Sequence, residues 1–317
     1  MSSAASSAAH RAIAAVVTAA LAQCALLLAA CNDAPPEAAP TERKARSAAR
    51  PLDVDLWVWQ GRVVHDASER ERFFRVVDRL GCRAVYVSLD RRERARLLTP
   101  ANPILTAFLA ACKRREIDVQ LLLSENTWVF PEKRAVLFKA IARLNAFQDA
   151  ARDGGFAALH LDVEPHVLPG WKDGTRKPAL ARGLVELVRA VRERTALPVH
   201  VDVPTWYEKI PCGEADLFHA LLDAASGAAI MNYRTSLDGF VRGAETELAA
   251  AAKTGRTVVV GVSVERNQSE KIAFHRWEHL ARTVQAARNR WREAGSGTVP
   301  RIAIQSYRHV KRALEIE

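Results

Sequence analysis

From Asp53 onward the chain alternates two hydrophobic periods. Short runs that are apolar throughout, or apolar at every second position, read as strands: "DLWVWQ" (55–60), "RAVYVSL" (83–89), "DVQLLLS" (118–124), "AALHLDVE" (157–164), "PVHVDVP" (198–204), "AAIMNYR" (228–234), "TVVVGVSVE" (257–265) and "RIAIQSY" (301–307). Between them lie stretches whose apolar residues fall three and four apart, the spacing of one helix face. Examples are "RERFFRVVDRL", "NPILTAFLAACKRR", "ALARGLVELVRAVRERT", "FVRGAETELAAAAK" and "FHRWEHLARTVQAARNRWREA". Gly or Pro marks several changes from helix to strand, as in "RLGCRAVYV" and "TALPVHV". Eight successive strand–helix units predict an α/β fold, a single-domain (β/α)8 TIM barrel over residues 53–317. The rival is an open doubly wound sheet. It would carry a Gly-rich loop after its first strand, where "WQGRVV" stands instead, and no cofactor is expected.

The fourth strand does not fit a plain apolar barrel. His160, Asp162 and Glu164 recur at every second position, opposite Leu159, Leu161 and Val163. Burying an unpaired carboxylate costs several kcal/mol or forces it to neutralise. A barrel strand has one face toward the helices and one toward the lumen, so the three polar residues point inward. The fifth strand repeats the split with His200 and Asp202, the seventh with Ser263 and Glu265, and the eighth with Gln305 and Tyr307. The first offers Trp57 and Trp59. In the sixth the phase is open, because Met231 and Tyr233 alternate with Asn232 and Arg234. In TIM barrels the C-terminal ends of the strands carry the chemistry, and there the inward polar residues gather.

Residues before the barrel have another character. "HRAIAAVVTAALAQCALLLAAC" joins a basic start to a long apolar run and small residues before Cys31. "LLAAC" resembles the lipobox of bacterial lipoprotein signals, which implies a signal over 1–30, lipidation of Cys31 and a place in the cell envelope. An uncleaved membrane anchor is the alternative. The Pro-, Ala- and charge-rich stretch 31–52 reads as a disordered tether. The net charge of +10 suits an anionic partner. The basic residues, however, are interspersed with acidic ones along the helices, and no basic block with aromatics signals nucleic acid. Cys82, Cys112 and Cys212 match no metal-ligand spacing. A Cys82–Cys112 disulfide and three buried thiols are both compatible with their positions. A monomer is expected.

Three chemistries fit a polar barrel mouth. Glycoside hydrolysis needs two carboxylates, one protonated to assist the leaving oxygen and one ionised. Glu164 and Glu265, ending the fourth and seventh strands, are the candidates. This layout resembles the clan A retaining glycosidases, where the strand-four glutamate is the acid/base and the strand-seven glutamate the nucleophile. Val163 stands where that clan has asparagine. "LHLDVE" with "MNYR" is also similar to family 18 chitinase-like barrels; Asp162, Glu164, Met231 and Tyr233 match, whereas Ala157, His160 and Arg234 replace family aspartates. Both resemblances make Glu164 the acid, and imply that Asp162 tunes it and that Tyr233 contacts substrate. Rings at strand ends suit pyranose faces: Trp59, Trp128, Trp171, Trp206, Tyr207, Tyr233 and Tyr307. Trp57 and Trp59 serve equally well as barrel plugs. His160, His166, His200, Asp202 and Arg234 complete the expected substrate-binding set, Arg234 as a partner for a sugar carboxylate. The second chemistry is a metal-dependent hydrolase with His160, Asp162, Glu164, His200 and Asp202 as ligands; the His-x-His of such barrels is missing from the first strand, and no metal is expected. The third is a polysaccharide-binding barrel that does not cut.

Overall fold

The computed structural model describes residues 52–151, 154–295 and 299–316; the signal, Cys31 and the tether up to residue 51 lie outside them, and Leu52, expected in the tether, is buried in the core. Eight parallel strands close into a barrel. They are β1 Asp55–Val58, β2 Ala84–Ser88, β3 Asp118–Ser124, β4 Ala158–Asp162, β5 Val199–Pro204, β6 Gly227–Met231, β7 Thr257–Ser263 and β8 Arg301–Gln305. Each pairs with its neighbours in chain order, and β8 closes on β1. This is the expected (β/α)8 TIM barrel. Several strands end earlier than their hydrophobic pattern. Glu164, Tyr233 and Glu265 therefore sit on the loops beyond the ladder, where backbone direction is free to change, and Tyr307 falls on the first residue of a helix.

The connecting helices are α1 Arg62–His65, α2 Ala67–Leu80, α3 Arg91–Leu97, α4 Pro103–Lys113, α5 Ala135–Ala151, α6 Lys177–Arg192, α7 Leu217–Ala224, α8 Leu237–Arg242, α9 Glu245–Thr254, α10 Trp277–Glu293 and α11 Tyr307–Ala313. Local chemistry starts and stops them. Asp66 caps α2 by accepting from Glu69 N–H at 3.0 Å, and Gly81 ends it in the left-handed region at φ 68°. Asp90 and Glu93 form a reciprocal capping box on α3. "FVRGAETELAAAAK" reads as one helix but breaks into α8 and α9. A Cβ on Gly243 would lie 2.5 Å from Asn232 Oδ1 and 2.7 Å from Arg234 Nε, so the chain turns there with its backbone against the β6 loop.

Most of the core lies between sheet and helices, built from the outward Leu, Val and Ile of every strand and the inner faces of α2, α4, α5, α6, α7 and α10. A second cluster fills the lumen: Trp57, Ala84, Tyr86, Leu122, Ala229, Val259 and Ala303. It settles the phase of β6: Ala229 faces inward, so Met231 and Tyr233 share the inward phase and Asn232 faces the helices. Trp57 plugs the barrel. The plug needs Gly261, whose Cβ would lie 3.1 Å from the indole ring and 2.8 Å from Ile230 O. Cys112 is a buried thiol, pushed up to about 12 by burial, and holds no bridge to Cys82.

Candidate active site

Polar groups run through the lumen beside its apolar cluster. At the N-terminal end of the strands, Asp55 pairs with Arg301 and accepts hydrogen bonds from Tyr86 OH at 3.0 Å and Ala84 N–H at 3.1 Å. Burial raises the Asp55 carboxyl to about 6 against the pull of Arg301 and Tyr86. The Tyr86 ring stacks on His160, with centroids 4.3 Å apart.

His160 is fully buried and uses both ring nitrogens. Nδ1 lies 2.8 Å from Gln120 Oε1 and Nε2 lies 2.7 Å from Asp202 Oδ1. Burial lowers the imidazole to about 3, so the ring is neutral and has a single N–H. Burial raises the Asp202 carboxyl well above its ordinary range. Gln120 Oε1 accepts from Nδ1–H, and Nε2 and Asp202 hold a proton between them. Trp57 Nε1–H donates to the other Asp202 oxygen at 3.1 Å. With its donors and acceptors met inside the protein, His160–Asp202 is a buried frame under the mouth rather than a ligand-lining pair.

His200 departs further from expectation. It pairs with Gly227, the first residue of β6, and its Nδ1 reaches the same Gln120 oxygen at 3.2 Å. It lies toward the N-terminal end of the strands, away from the mouth, and burial, His160 and Arg301 lower it to about 4. Of the residues considered as metal ligands, His160 spends both ring nitrogens on Gln120 and Asp202, and no group of three or more His, Cys, Asp or Glu that could hold a metal ion occurs among the described residues. Tyr307 also leaves the site. It opens α11, packs edge-on against Phe73 and donates to Glu69 Oε1 at 2.7 Å, within the helix layer. The chain turns after Gln305, so the period-2 count no longer applies at position 307.

At the C-terminal ends the remaining candidates come together. Asp162 ends β4; Ser124 Oγ donates to its Oδ2 at 3.4 Å, while its buried Oδ1 has no hydrogen-bond partner among the described residues. Burial, then Asp202, raises it to about 7. Glu164 is two residues on, with a side chain 28% exposed. Burial, then Asp162 and Asp202, raises it to about 7. Its backbone is tied down by Asn126, whose Oδ1 accepts Glu164 N–H at 2.7 Å. Asn126 belongs to the loop after β3, and buried Arg134 clamps that loop by donating to Trp128 O, Val129 O and, on α6, Gly183 O, each at 3.0 Å. Across the mouth, Glu265 is 19% exposed. Gln268 Nε2 donates to its Oε2 at 3.1 Å, and His309 Nδ1 lies 3.7 Å from Oε1. Burial raises the Tyr233 phenol far above the ordinary 10, and the charges of Asp202, Asp162, Glu164 and Glu265 add to the rise.

An aromatic wall flanks Glu164. His166 Nε2 is 3.9 Å from Glu164 Oε2, and its Nδ1 hydrogen-bonds Tyr207 OH at 3.0 Å. Burial lowers His166 to about 4, so it faces Glu164 uncharged. Trp206, Trp171 and Tyr207 surround the imidazole at centroid distances of 5.1, 6.4 and 5.9 Å. On the far side Trp59, 36% exposed, donates its indole N–H to Gln305 Oε1 at 3.1 Å. Arg234 is exposed at the rim, with Nε on Asn232 Oδ1 at 3.1 Å. Sequence reasoning missed Asn126, Gln120, Gln268 and His309. Nothing in the local pattern marks them, because each acts through a contact distant in sequence or on a loop.

The barrel is similar to those of glycoside hydrolases. Its structural neighbours include a chitinase from Bacteroides thetaiotaomicron, at 11% identity over 81% of this chain and 90% of that one, with a TM-score of 0.50. A GH113 β-1,4-mannanase shares 12% identity over 81% and 88% of the two chains, TM-score 0.49. The spore cortex-lytic enzyme SleL of Bacillus megaterium QM B1551 shares 13% over 83% and 73%, TM-score 0.48. At these identities the likeness is one of fold. No protein-family description and no curated protein matches the sequence.

Proposed function

We propose that this protein is a glycoside hydrolase acting on a cell-envelope or extracellular polysaccharide, anchored in a bacterial envelope through lipidated Cys31 and working as a monomer. The observation that carries the reading is a half-buried glutamate just beyond β4, held up to about 7, with a second, differently held glutamate just beyond β7, fixed by Gln268 and near His309. Two carboxyls with separate environments are what acid-assisted glycosidic cleavage requires.

In this reading Glu164, protonated near neutral pH, gives its proton to the departing glycosidic oxygen. Glu265, fixed by Gln268 and near His309, attacks or stabilises the positive charge that develops at the anomeric carbon. In the second half-step Glu164, now ionised, draws a proton from water. Asp162 keeps Glu164 protonated, since a neighbouring carboxyl disfavours a further negative charge, and its free Oδ1 is available to a substrate hydroxyl or amide. Tyr233 donates to substrate or to Glu265. Trp59, Trp206 and His166 line the cleft for sugar rings, with buried Trp171 packed behind Trp206 and His166.

Release of reducing ends from a panel of neutral and acidic polysaccharides tests this. Glu164→Gln and Glu265→Gln are each expected to lower kcat at least 10²-fold, the usual scale of acid–base and covalent contributions, with unchanged melting temperature. Wild-type hydrolysis in both variants would refute the assignment. Binding of glycans without turnover by the wild-type chain would make it a binding barrel instead.

A further inference from the structure

Beside the mouth, between the loops after β5 and β6, lies a cavity of about 300 Å³. Its walls include Trp206, Lys209, Arg234, Arg242, Thr246 and Glu247. Trp206 is shared with the mouth. One side of its ring packs on His166, 5.1 Å between centroids, and His166 in turn stands 3.9 Å from Glu164. The cavity is thus one aromatic ring away from the candidate acid.

Its lining carries three cations, Lys209, Arg234 and Arg242, against two carboxyls, Glu208 and Glu247. Lys209 is matched by Glu208 at 3.9 Å. Arg234 and Arg242 make no ion pair among the described residues, and Arg234 spends only its Nε on Asn232. The first turn of the ten-residue α9, with Thr246 and Glu247, borders the same space, and its N-cap Ala244 offers no side chain to the free amides. A helix start beside two guanidinium groups attracts an anion. The independent sign of a ligand is Glu247. It is 2% exposed, lines the cavity, accepts a hydrogen bond from its own backbone and has the Arg234 charge acting on it. A buried carboxyl so sparsely hydrogen-bonded is costly unless something fills its remaining valences. Burial raises it to about 7, so near neutrality it can give a hydrogen bond as well as accept one.

We propose that this cavity is a subsite for an acidic sugar residue, of the uronic acid type, in the polysaccharide whose neighbouring unit lies at Glu164. Arg234 and Arg242 take the sugar carboxylate, Trp206 stacks on the ring, and Glu247 hydrogen-bonds a ring hydroxyl. Arginine suits this task because its planar fork meets a carboxylate with two parallel hydrogen bonds. The net charge of +10 brings an anionic polymer toward the protein. The inference rests on the polysaccharide reading of the mouth and refines it to an acidic substrate.

Calorimetric titration tests it, using oligomers of galacturonate, glucuronate and mannuronate, each against its carboxyl-reduced neutral form. At least one acidic oligomer is expected to bind about tenfold or more tightly than its neutral counterpart. Arg234→Ala/Arg242→Ala is expected to abolish that preference, and Glu164→Gln to keep it. Arg234→Lys/Arg242→Lys, with the charge retained and the fork lost, keeps part of it. Equal binding of acidic and neutral forms, no binding of any acidic form, or an unchanged preference in the double alanine variant would overturn the subsite. Because Glu164→Gln removes hydrolysis without touching this cavity, failure of the subsite and failure of the hydrolase assignment give different results.

Discussion

Asp162→Asn isolates the electrostatics of the mouth. The carboxyl of Asp162 rises from its ordinary 3.8 to about 7, chiefly through burial and then through Asp202. Between those values the folded chain holds a proton that the unfolded chain has released. Stability contributed by the group is therefore full below pH ~4 and declines as pH rises toward ~7. The whole shift corresponds to a penalty of ~4 kcal/mol on the ionised folded form at pH 8. Water at the mouth screens part of it, so about 2 kcal/mol is the expected relief on replacing the carboxyl with an amide. The amide keeps the Ser124 contact and the volume. An unsatisfied N–H at the position of Oδ1 would add a cost of ~1–3 kcal/mol, but one that does not vary with pH. The decisive quantity is thus the change in the variant-minus-wild-type difference between pH 4 and pH 8, read from urea unfolding. A difference that is the same at both pH values would refute the account of Asp162 as a buried, proton-holding acid.

Hydrolysis is expected to fall as pH rises through about 7, where Glu164 loses its proton. In Asp162→Asn that alkaline limb of the kcat profile moves to lower pH, and a profile flat to about pH 9 would exclude Glu164 as the acid. Asp55→Ala strands the Arg301 guanidinium and removes the acceptor of Tyr86 OH. It should cost ~1–3 kcal/mol in denaturant titrations at pH 8, chiefly from the buried Tyr86 hydroxyl left without its acceptor, and an unchanged stability would contradict this network. Gly261→Ala drives a methyl to 2.8 Å from Ile230 O and 3.1 Å from the Trp57 ring. A loss of ~1–3 kcal/mol with a lowered Tm is expected, and an unchanged Tm would contradict the plugged lumen.

What the sequence determined by itself was periodic. The switch between period 2 and period 3.6 specified eight strand–helix units and so the barrel, because each element carries its burial pattern locally. The same alternation assigned Asp162 and Glu164 to the inner face of β4, since Leu159, Leu161 and Val163 require the outer one. Where the period stopped, legibility stopped. Tyr307 continued the β8 pattern on paper, yet the chain turns after Gln305 and sends the ring to Phe73 and Glu69. His200 had the right phase but the wrong height, because a strand pattern gives the face of a residue and not its level along the barrel axis; pairing with Gly227 sets that level. Only the tertiary structure joined Gln120, His160, Asp202 and Trp57 into one frame, brought Asn126 to the backbone of Glu164, and set His309 beside Glu265. These contacts link residues far apart in the chain, and their geometry comes from barrel closure, which no local pattern records.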